Sequence, residues 1–242
     1  MFALGVTLLL VASTATAGSV NPMALHKPPF KGTPLLDVYT HAHGCGSVAN
    51  FSTYPVFNMS SGIGRMGSTA KATGCGLLNT DDDAVTEGMF GFVTTPGLVA
   101  VGSEQNYSMN SSFNVSWTLN ATPGSPAGGP FAWASLSLIF HAGLVDLDNK
   151  SVLLGGCSGY IFGNTTNGTK TGLVVGSFGF RCDSFPTHWI AHVVPGHHNA
   201  IEFTIQIVSF AHTPAGTKTH ATAKFNLATL GHKFQVVSWG YL

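Results

Sequence analysis

Short segments in which apolar and polar residues alternate are the feature that most restricts the fold. In residues 112–120 apolar side chains take every odd position from Phe113 to Leu119, and in residues 201–207 they again take the odd positions. A repeat of two is that of a β-strand with one buried face. About a dozen such segments are separated by Gly, Pro, Asn and Ser. The sequence therefore predicts an all-β fold, an antiparallel, jelly-roll-like β-sandwich of about 10–12 strands.

No stretch keeps a helical repeat of 3.6 residues over three turns. One short helix is expected at residues 80–87, where Thr80 could cap the N-terminus and the three aspartates after it suit the helix dipole. The Pro- and Gly-rich residues 123–130 are a possible break between two subdomains.

The N-terminus has the pattern of an export signal. Residues 2–12 form an apolar run, and Ala15-Thr16-Ala17 is a small-x-small cleavage pattern, so residues 1–17 are interpreted as a signal peptide cleaved before Gly18. Residues 18–34 contain four prolines and are expected to form an extended arm. Residues 35–242 would be the β-sandwich domain. No other segment has the length and apolarity of a membrane span, so we expect a secreted protein, free in the extracellular medium or at the cell surface.

Four cysteines in an exported chain predict two disulfides. Cys45–Cys75 and Cys157–Cys182 are favoured among the three possible pairings, because each closes a loop of about 25 to 30 residues. Chain entropy would make each worth about 3 kcal/mol.

Sequons for N-glycosylation are far more frequent than chance. Nine of the 13 asparagines begin an Asn-x-Ser/Thr triplet, whereas about 2.5 are expected from the Ser and Thr content. The nine are Asn50, Asn58, Asn106, Asn110, Asn114, Asn120, Asn149, Asn164 and Asn167. Alternation in residues 112–120 places Asn114 and Asn120 on the solvent face. The sequence therefore predicts a heavily glycosylated protein carrying covalent N-linked glycans.

Charge is scarce and balanced. Only 8% of the residues are charged and the net charge is zero, so nothing favours binding to nucleic acid or to an anionic membrane surface. Attached sugars and the Ser, Thr, Asn and Gly side chains would then keep the surface hydrated.

Metal-binding residue types occur, but without a diagnostic spacing. His41 and His43 share one face of a strand, and His188 and His192 share another, near His197 and His198. The candidate ligands of a Zn or Cu site are His41, His43, His188 and His192. Asp81-Asp82-Asp83 and Asp146-x-Asp148 are oxygen-rich groups that could hold Ca²⁺. No catalytic motif selects a nucleophile or a carboxylate pair, so we expect neither enzymatic activity nor a cofactor.

Three functions remain from the sequence. The first is a structural surface protein, a self-assembling subunit of an extracellular filament, coat or matrix. The second is an adhesive or carbohydrate-binding module, with the aromatic residues Tyr54, Tyr107 and Trp189 as candidate contacts. The third is a secreted metal-dependent enzyme that uses the histidine groups.

Self-assembly could proceed by β-strand exchange between copies of the chain. The 17 residues of the arm would let Leu35, Leu36, Val38 and Tyr39 pair with a neighbouring subunit. The alternative is that residues 35–41 pair within their own domain.

Overall fold

The computed structural model describes residues 25–76, 81–95, 107–123, 131–149, 152–181, 197–227 and 231–241. The expected signal peptide and the first part of the arm lie outside the described residues. The described residues contain no helix of the length and apolarity needed to cross a membrane.

The described residues form eleven β-strands, and every pairing between strands is antiparallel. They are β1 (Gly32–His43), β2 (Val48–Asn58), β3 (Ile63–Thr73), β4 (Asp82–Thr94), β5 (Tyr107–Ala121), β6 (Trp133–Asp146), β7 (Val152–Thr166), β8 (Thr169–Arg181), β9 (Asn199–Thr213), β10 (His220–Asn226) and β11 (Lys233–Tyr241).

Two sheets pack face to face. The front sheet has the order β1-β4-β9-β6-β7. In the back sheet β2 pairs with β3, and β5 pairs with β8 at the other side. Two short strands, β10 and β11, lie between β3 and β5. Each of them pairs with both β3 and β5, and the two occupy different parts of the length of β3 and β5. The predicted all-β antiparallel sandwich is therefore confirmed.

The core lies between the sheets and is rich in phenylalanine and alanine. Phe90, Phe92 and Phe203 of the front sheet and Phe225 and Phe234 of the back sheet are fully buried. Alanines on both inner faces leave space for these rings, which is why strands of modest hydrophobicity can pack closely.

The expected helix at residues 80–87 is wrong, because β4 begins at Asp82. Its side chains alternate between buried and half-buried along most of the strand, with Asp82, Ala84 and Thr86 inside. Strands β2 and β3 lack the alternation of apolar and polar residues that predicts a strand, so the sequence patterns did not identify them. Strands from before and after residues 123–130 occur in both sheets, while residues 124–130 themselves lie outside the described residues.

The arm contacts the sandwich in its described part. Phe30 is 7% exposed and stacks on Phe92 with 4.9 Å between ring centroids. His26 pairs with Trp239 of β11 through its backbone, and their rings stack at 4.3 Å. Strand β1 begins at Gly32, so it includes the last three residues expected for the arm.

One complete disulfide is seen in the described residues, between Cys45 and Cys75, as favoured from the sequence. Cys157 is also disulfide-bonded. Cys182, its expected partner, lies outside the described residues.

Candidate functional site

The sequon asparagines are accessible in the structure. Eight of the nine lie in the described residues, none of these is buried, and Asn106 lies outside. Asn50, Asn110, Asn114 and Asn120 share the outer face of the back sheet. The other described sequon asparagines are Asn58, Asn149, Asn164 and Asn167.

The outer face of the back sheet is polar along β5, the strand next to the edge strand β8. Its outward positions between Asn110 and Asn120 are all Asn, Ser or Thr. The Asn114 side-chain oxygen lies 3.1 Å from Nδ1 of His232, and that of Asn120 accepts a hydrogen bond from the Thr169 hydroxyl at 2.9 Å. None of the described sequon asparagines lies on the outer face of the front sheet. The two faces of the sandwich therefore differ in chemistry.

The outer face of the front sheet, called the front face below, carries aromatic rings. Tyr39 on β1 and Tyr160 on β7 are 54% and 64% exposed. Trp133 on β6 lies near one end of the sheet, with its ring 4.7 Å from that of Phe210 and 5.7 Å from that of His212. Both edge strands, β1 and β7, and the interior strand β6 thus contribute an aromatic ring.

A chain of polar side chains runs across the front face between these rings. His141 Nδ1 lies 2.7 Å from the Ser158 hydroxyl, and His141 Nε2 lies 2.8 Å from Oε1 of Gln206. The Gln206 side-chain amide donates to Glu87. A neutral His141 fits this chain when Ser158 donates to Nδ1 and Nε2–H donates to Gln206. The four side chains come from β7, β6, β9 and β4 and are therefore fixed by the sheet register.

A hollow of about 200 Å³ lies beside His141 on the same face. Gly143 and Gly156 line it, and glycine is required at position 156 because an added Cβ would come within 2.7 Å of the Ala142 carbonyl oxygen of the neighbouring strand. Glu202 lines the hollow together with His141. Burial raises the pKa of Glu202, and the nearby His141 opposes that shift. The hollow thus offers a partly desolvated carboxyl group and an imidazole.

The raised pKa of Glu202 predicts a pH-dependent effect of Glu202→Gln. Above the folded-state pKa the wild type must desolvate a charged carboxylate, whereas glutamine carries no charge. We expect the variant to have the higher free energy of unfolding at pH 7, and its advantage to disappear as pH falls below the ordinary value of 4.5. Urea unfolding at pH 7 and pH 4 measures both differences. A variant less stable than the wild type at pH 7, or an advantage that persists at pH 4, would contradict the assignment.

Two of the metal candidates from the sequence, residues 41–43 and 81–83, lie side by side because β1 pairs with β4. His41 and His43 lie at the end of β1, and His43 Nδ1 is 3.1 Å from the Asp81 carbonyl oxygen. Asp82 points into the protein, where its carboxylate accepts the backbone N–H groups of Cys45 and Cys75. Within the described residues, the His41–His43 pair and the run 81–83 belong to no group of three side chains placed to hold a metal. His188 and His192 lie outside the described residues.

One such group does exist, and it joins two of the patterns seen in the sequence. Asp146, Asp148 and His197 each place one ligand atom within 4.8 Å of the others.

The residues predicted for strand exchange pair within their own chain. Leu35, Leu36, Val38 and Tyr39 lie opposite residues of β4, in an unbroken antiparallel register. Of the aromatic residues considered for binding, Tyr54 is 66% exposed on β2 of the back sheet. The side chain of Tyr107 and all of Trp189 lie outside the described residues.

Comparison with protein-family models finds no match, and comparison with curated proteins finds none either. Among solved structures, a family 11 carbohydrate-binding module from Clostridium thermocellum in complex with a β-1,3-1,4-mixed-linked tetrasaccharide is similar over 84% of this chain and 99% of its own, with 10% identity and a TM-score of 0.20. The family 11 module of the cellulosomal cellulase Lic26A-Cel5E of Clostridium thermocellum covers 86% and 98%, with 10% identity and a TM-score of 0.19. Similarity at this level carries no argument about the ligand of this chain.

Proposed function

We propose that this protein is an extracellular glycoprotein that binds carbohydrate on its front face. The observation that carries the proposal is the combination, on that one face, of exposed aromatic rings with the polar chain from Ser158 to Glu87. Secretion and glycosylation are part of the proposal and are supported by the sequon excess and by the accessibility of the described sequon asparagines.

The chemistry of the front face suits a sugar. A pyranose ring presents C–H groups that pack on an aromatic face and hydroxyl groups that exchange hydrogen bonds with imidazole, amide and carboxylate groups. Five strands at about 4.8 Å spacing make the face about 19 Å wide, which is enough for a short oligosaccharide. Tyr39 and Tyr160 would stack against rings near its two edges, and the hollow beside His141 would take a substituent.

The separation of the two faces favours the same function. Glycans on Asn110, Asn114 and Asn120 would project from the back sheet and would leave the front face uncovered. A binding face without sugars of its own remains open to a ligand.

The test is binding to a panel of polysaccharides and glycans by affinity electrophoresis, followed by isothermal titration with any ligand found. Tyr160→Ala is expected to weaken binding about tenfold, which corresponds to about 1.4 kcal/mol of lost stacking. Tyr54→Ala is the matched control, because Tyr54 is 66% exposed against 64% for Tyr160 and lies on the opposite sheet. His141→Ala should also weaken binding by about tenfold or more, since it interrupts the polar chain.

Two results would overturn the proposal. One is the absence of binding to every sugar in the panel by the folded wild-type protein. The other is a loss of affinity in Tyr54→Ala with none in Tyr160→Ala and His141→Ala, which would place the site on the back sheet.

Self-assembly is a second candidate function, favoured by one feature of β1. This strand is the edge of the front sheet, and Leu36 and Val38 are 51% and 42% exposed on it. An edge strand with exposed apolar side chains is a template for another chain. Sedimentation over a hundredfold range of concentration tests this function, and a wild type that stays monomeric throughout would exclude it. Val38→Lys should abolish any association that runs through β1.

A further inference from the structure

A second cluster of polar side chains lies at one end of the sandwich, away from the polar chain of the front face. Strand β6 ends at Asp146, the turn after it contains Asp148, and His197 and His198 immediately precede β9. Because β6 and β9 are neighbours, with Asp146 opposite Asn199, these two chain segments meet. The backbone N–H of Leu147 donates to the His198 carbonyl oxygen at 2.9 Å, which fixes the segments to each other.

The carboxylate of Asp146 is held in place by the turn that it closes. Its side chain is 1% exposed, and its Oδ1 accepts the backbone N–H groups of Asp148 at 3.0 Å and Asn149 at 3.2 Å. Its Oδ2 faces His197 Nδ1 at 2.6 Å. One oxygen therefore stabilises the turn, and the other is directed at the imidazole.

The second carboxylate is oriented by His198. Asp148 accepts the backbone N–H of His198, and its Oδ2 lies 3.0 Å from His198 Nδ1. Aspartate side chains are ionised at neutral pH, so both carboxylates bring a negative charge to the cluster.

The charge of this cluster is not balanced by a fixed cation in the described part of the chain. There, neither carboxylate has a lysine or arginine within ion-pair distance, and the ion-pair partners of both are imidazoles. Among the described residues the two aspartates thus bring more negative charge than fixed positive charge to this end of the sandwich, which favours a bound cation.

We propose that Asp146, Asp148 and His197 bind a divalent transition-metal ion, with Zn²⁺ as the first candidate. One imidazole nitrogen and two carboxylate oxygens are ligands that Zn²⁺ accepts at about 2.0–2.2 Å. Ca²⁺ is disfavoured because its ligands are oxygens alone. Three protein ligands leave a fourth position for water or for an external group. His198 acts as a positioning residue, since it orients Asp148.

The site would join the turn between β6 and β7 to the segment that enters β9. Metal binding would then stabilise that end of the sandwich. This role is distinct from the carbohydrate binding proposed above and does not depend on it.

The experiment uses the full-length protein after treatment with a chelator and dialysis. Isothermal titration with Zn²⁺ and elemental analysis of the dialysed complex should give one high-affinity ion for each chain. His197→Gln and Asp148→Asn should each weaken that binding at least tenfold and should remove the rise in melting temperature that Zn²⁺ causes in the wild type. Both positions are at least partly exposed, at 37% and 42%, so the variants should fold, which circular dichroism would verify.

His212→Gln is the matched control. His212 Nδ1 lies 2.7 Å from an Asp83 oxygen, which is a His–Asp pair of the same kind, but the pair belongs to no three-residue group in the described structure. We expect this variant to bind Zn²⁺ as the wild type does. Equal binding by His197→Gln and the wild type would show adventitious uptake by other histidines and would overturn the site. The absence of a high-affinity ion in the wild type, or Ca²⁺ binding as tight as that of Zn²⁺, would overturn it as well.

Discussion

Replacing Phe92 with alanine is expected to lower the free energy of unfolding by about 3–5 kcal/mol. Phe92 is fully buried, and its ring lies 4.9 Å from that of Phe30, 5.3 Å from that of Phe57 and 5.4 Å from that of Phe203. These partners belong to the arm, the back sheet and the front sheet. Alanine would remove the Phe92 ring and with it all three ring contacts. It would also leave a cavity that the surrounding strands cannot close.

Urea or guanidinium unfolding of the wild type and the variant measures the difference. Phe131→Ala is the control, because it deletes the same ring from a residue that is 48% exposed. We expect it to cost less than about 1 kcal/mol. Equal losses in the two variants would contradict the central position of Phe92 in the core.

The alternating segments could be predicted from the sequence because their pattern is local. In β5 the buried residues Val115, Trp117 and Leu119 and the outward Asn114 and Asn120 follow directly from a repeat of two. In β9 the apolar odd positions of residues 201–207 likewise put Glu202 and Gln206 on the opposite side, and both lie on the front face beside His141.

Strands β2 and β3 were missed because their burial depends on neighbours that are distant in sequence. The inward side chains of β3 include Ala70 and Ala72, which carry little apolar surface of their own. They are buried because this face of β3 packs across the sandwich on the front sheet, where the Ser68 hydroxyl lies 2.9 Å from that of Ser209 on β9. The expected helix at residues 80–87 failed for a related reason. Three consecutive aspartates suit a helix N-terminus in isolation, yet in the fold Asp82 accepts two backbone hydrogen bonds from other segments.

The candidate sites were beyond sequence reasoning because their members are far apart along the chain. His141 and Gln206 are 65 residues apart, and Asp146 and His197 are 51 apart. Each pair meets only because β6 lies beside β9 in the front sheet. Sequence patterns identified Asp146-x-Asp148 and the histidines near residue 197 separately, and strand order joins them.

Removing the Cys45–Cys75 disulfide is the second change with a large expected effect. The bond joins Cys45, just before β2, to Cys75, just after β3. The loop of 30 residues that it closes therefore contains both strands. Its loss would enlarge the conformational freedom of the unfolded chain, and chain entropy predicts a cost of about 3–4 kcal/mol. The double variant Cys45→Ala/Cys75→Ala is preferable to a reducing agent, because reduction would also break the disulfide of Cys157.

The folded structure offers a reason why the double variant should still fold. The backbone N–H groups of Cys45 and Cys75 donate to the buried carboxylate of Asp82 at 3.1 and 3.0 Å, so the two chain segments remain joined without the sulfur bond. The expected result is therefore a cooperative transition at a lower denaturant concentration, with the native far-ultraviolet spectrum retained. Adding Asp82→Asn to the double variant should then destabilise it further, since the neutral amide accepts the two N–H groups less strongly than a carboxylate. A double variant whose stability falls by less than about 1 kcal/mol would contradict the entropic account of this disulfide.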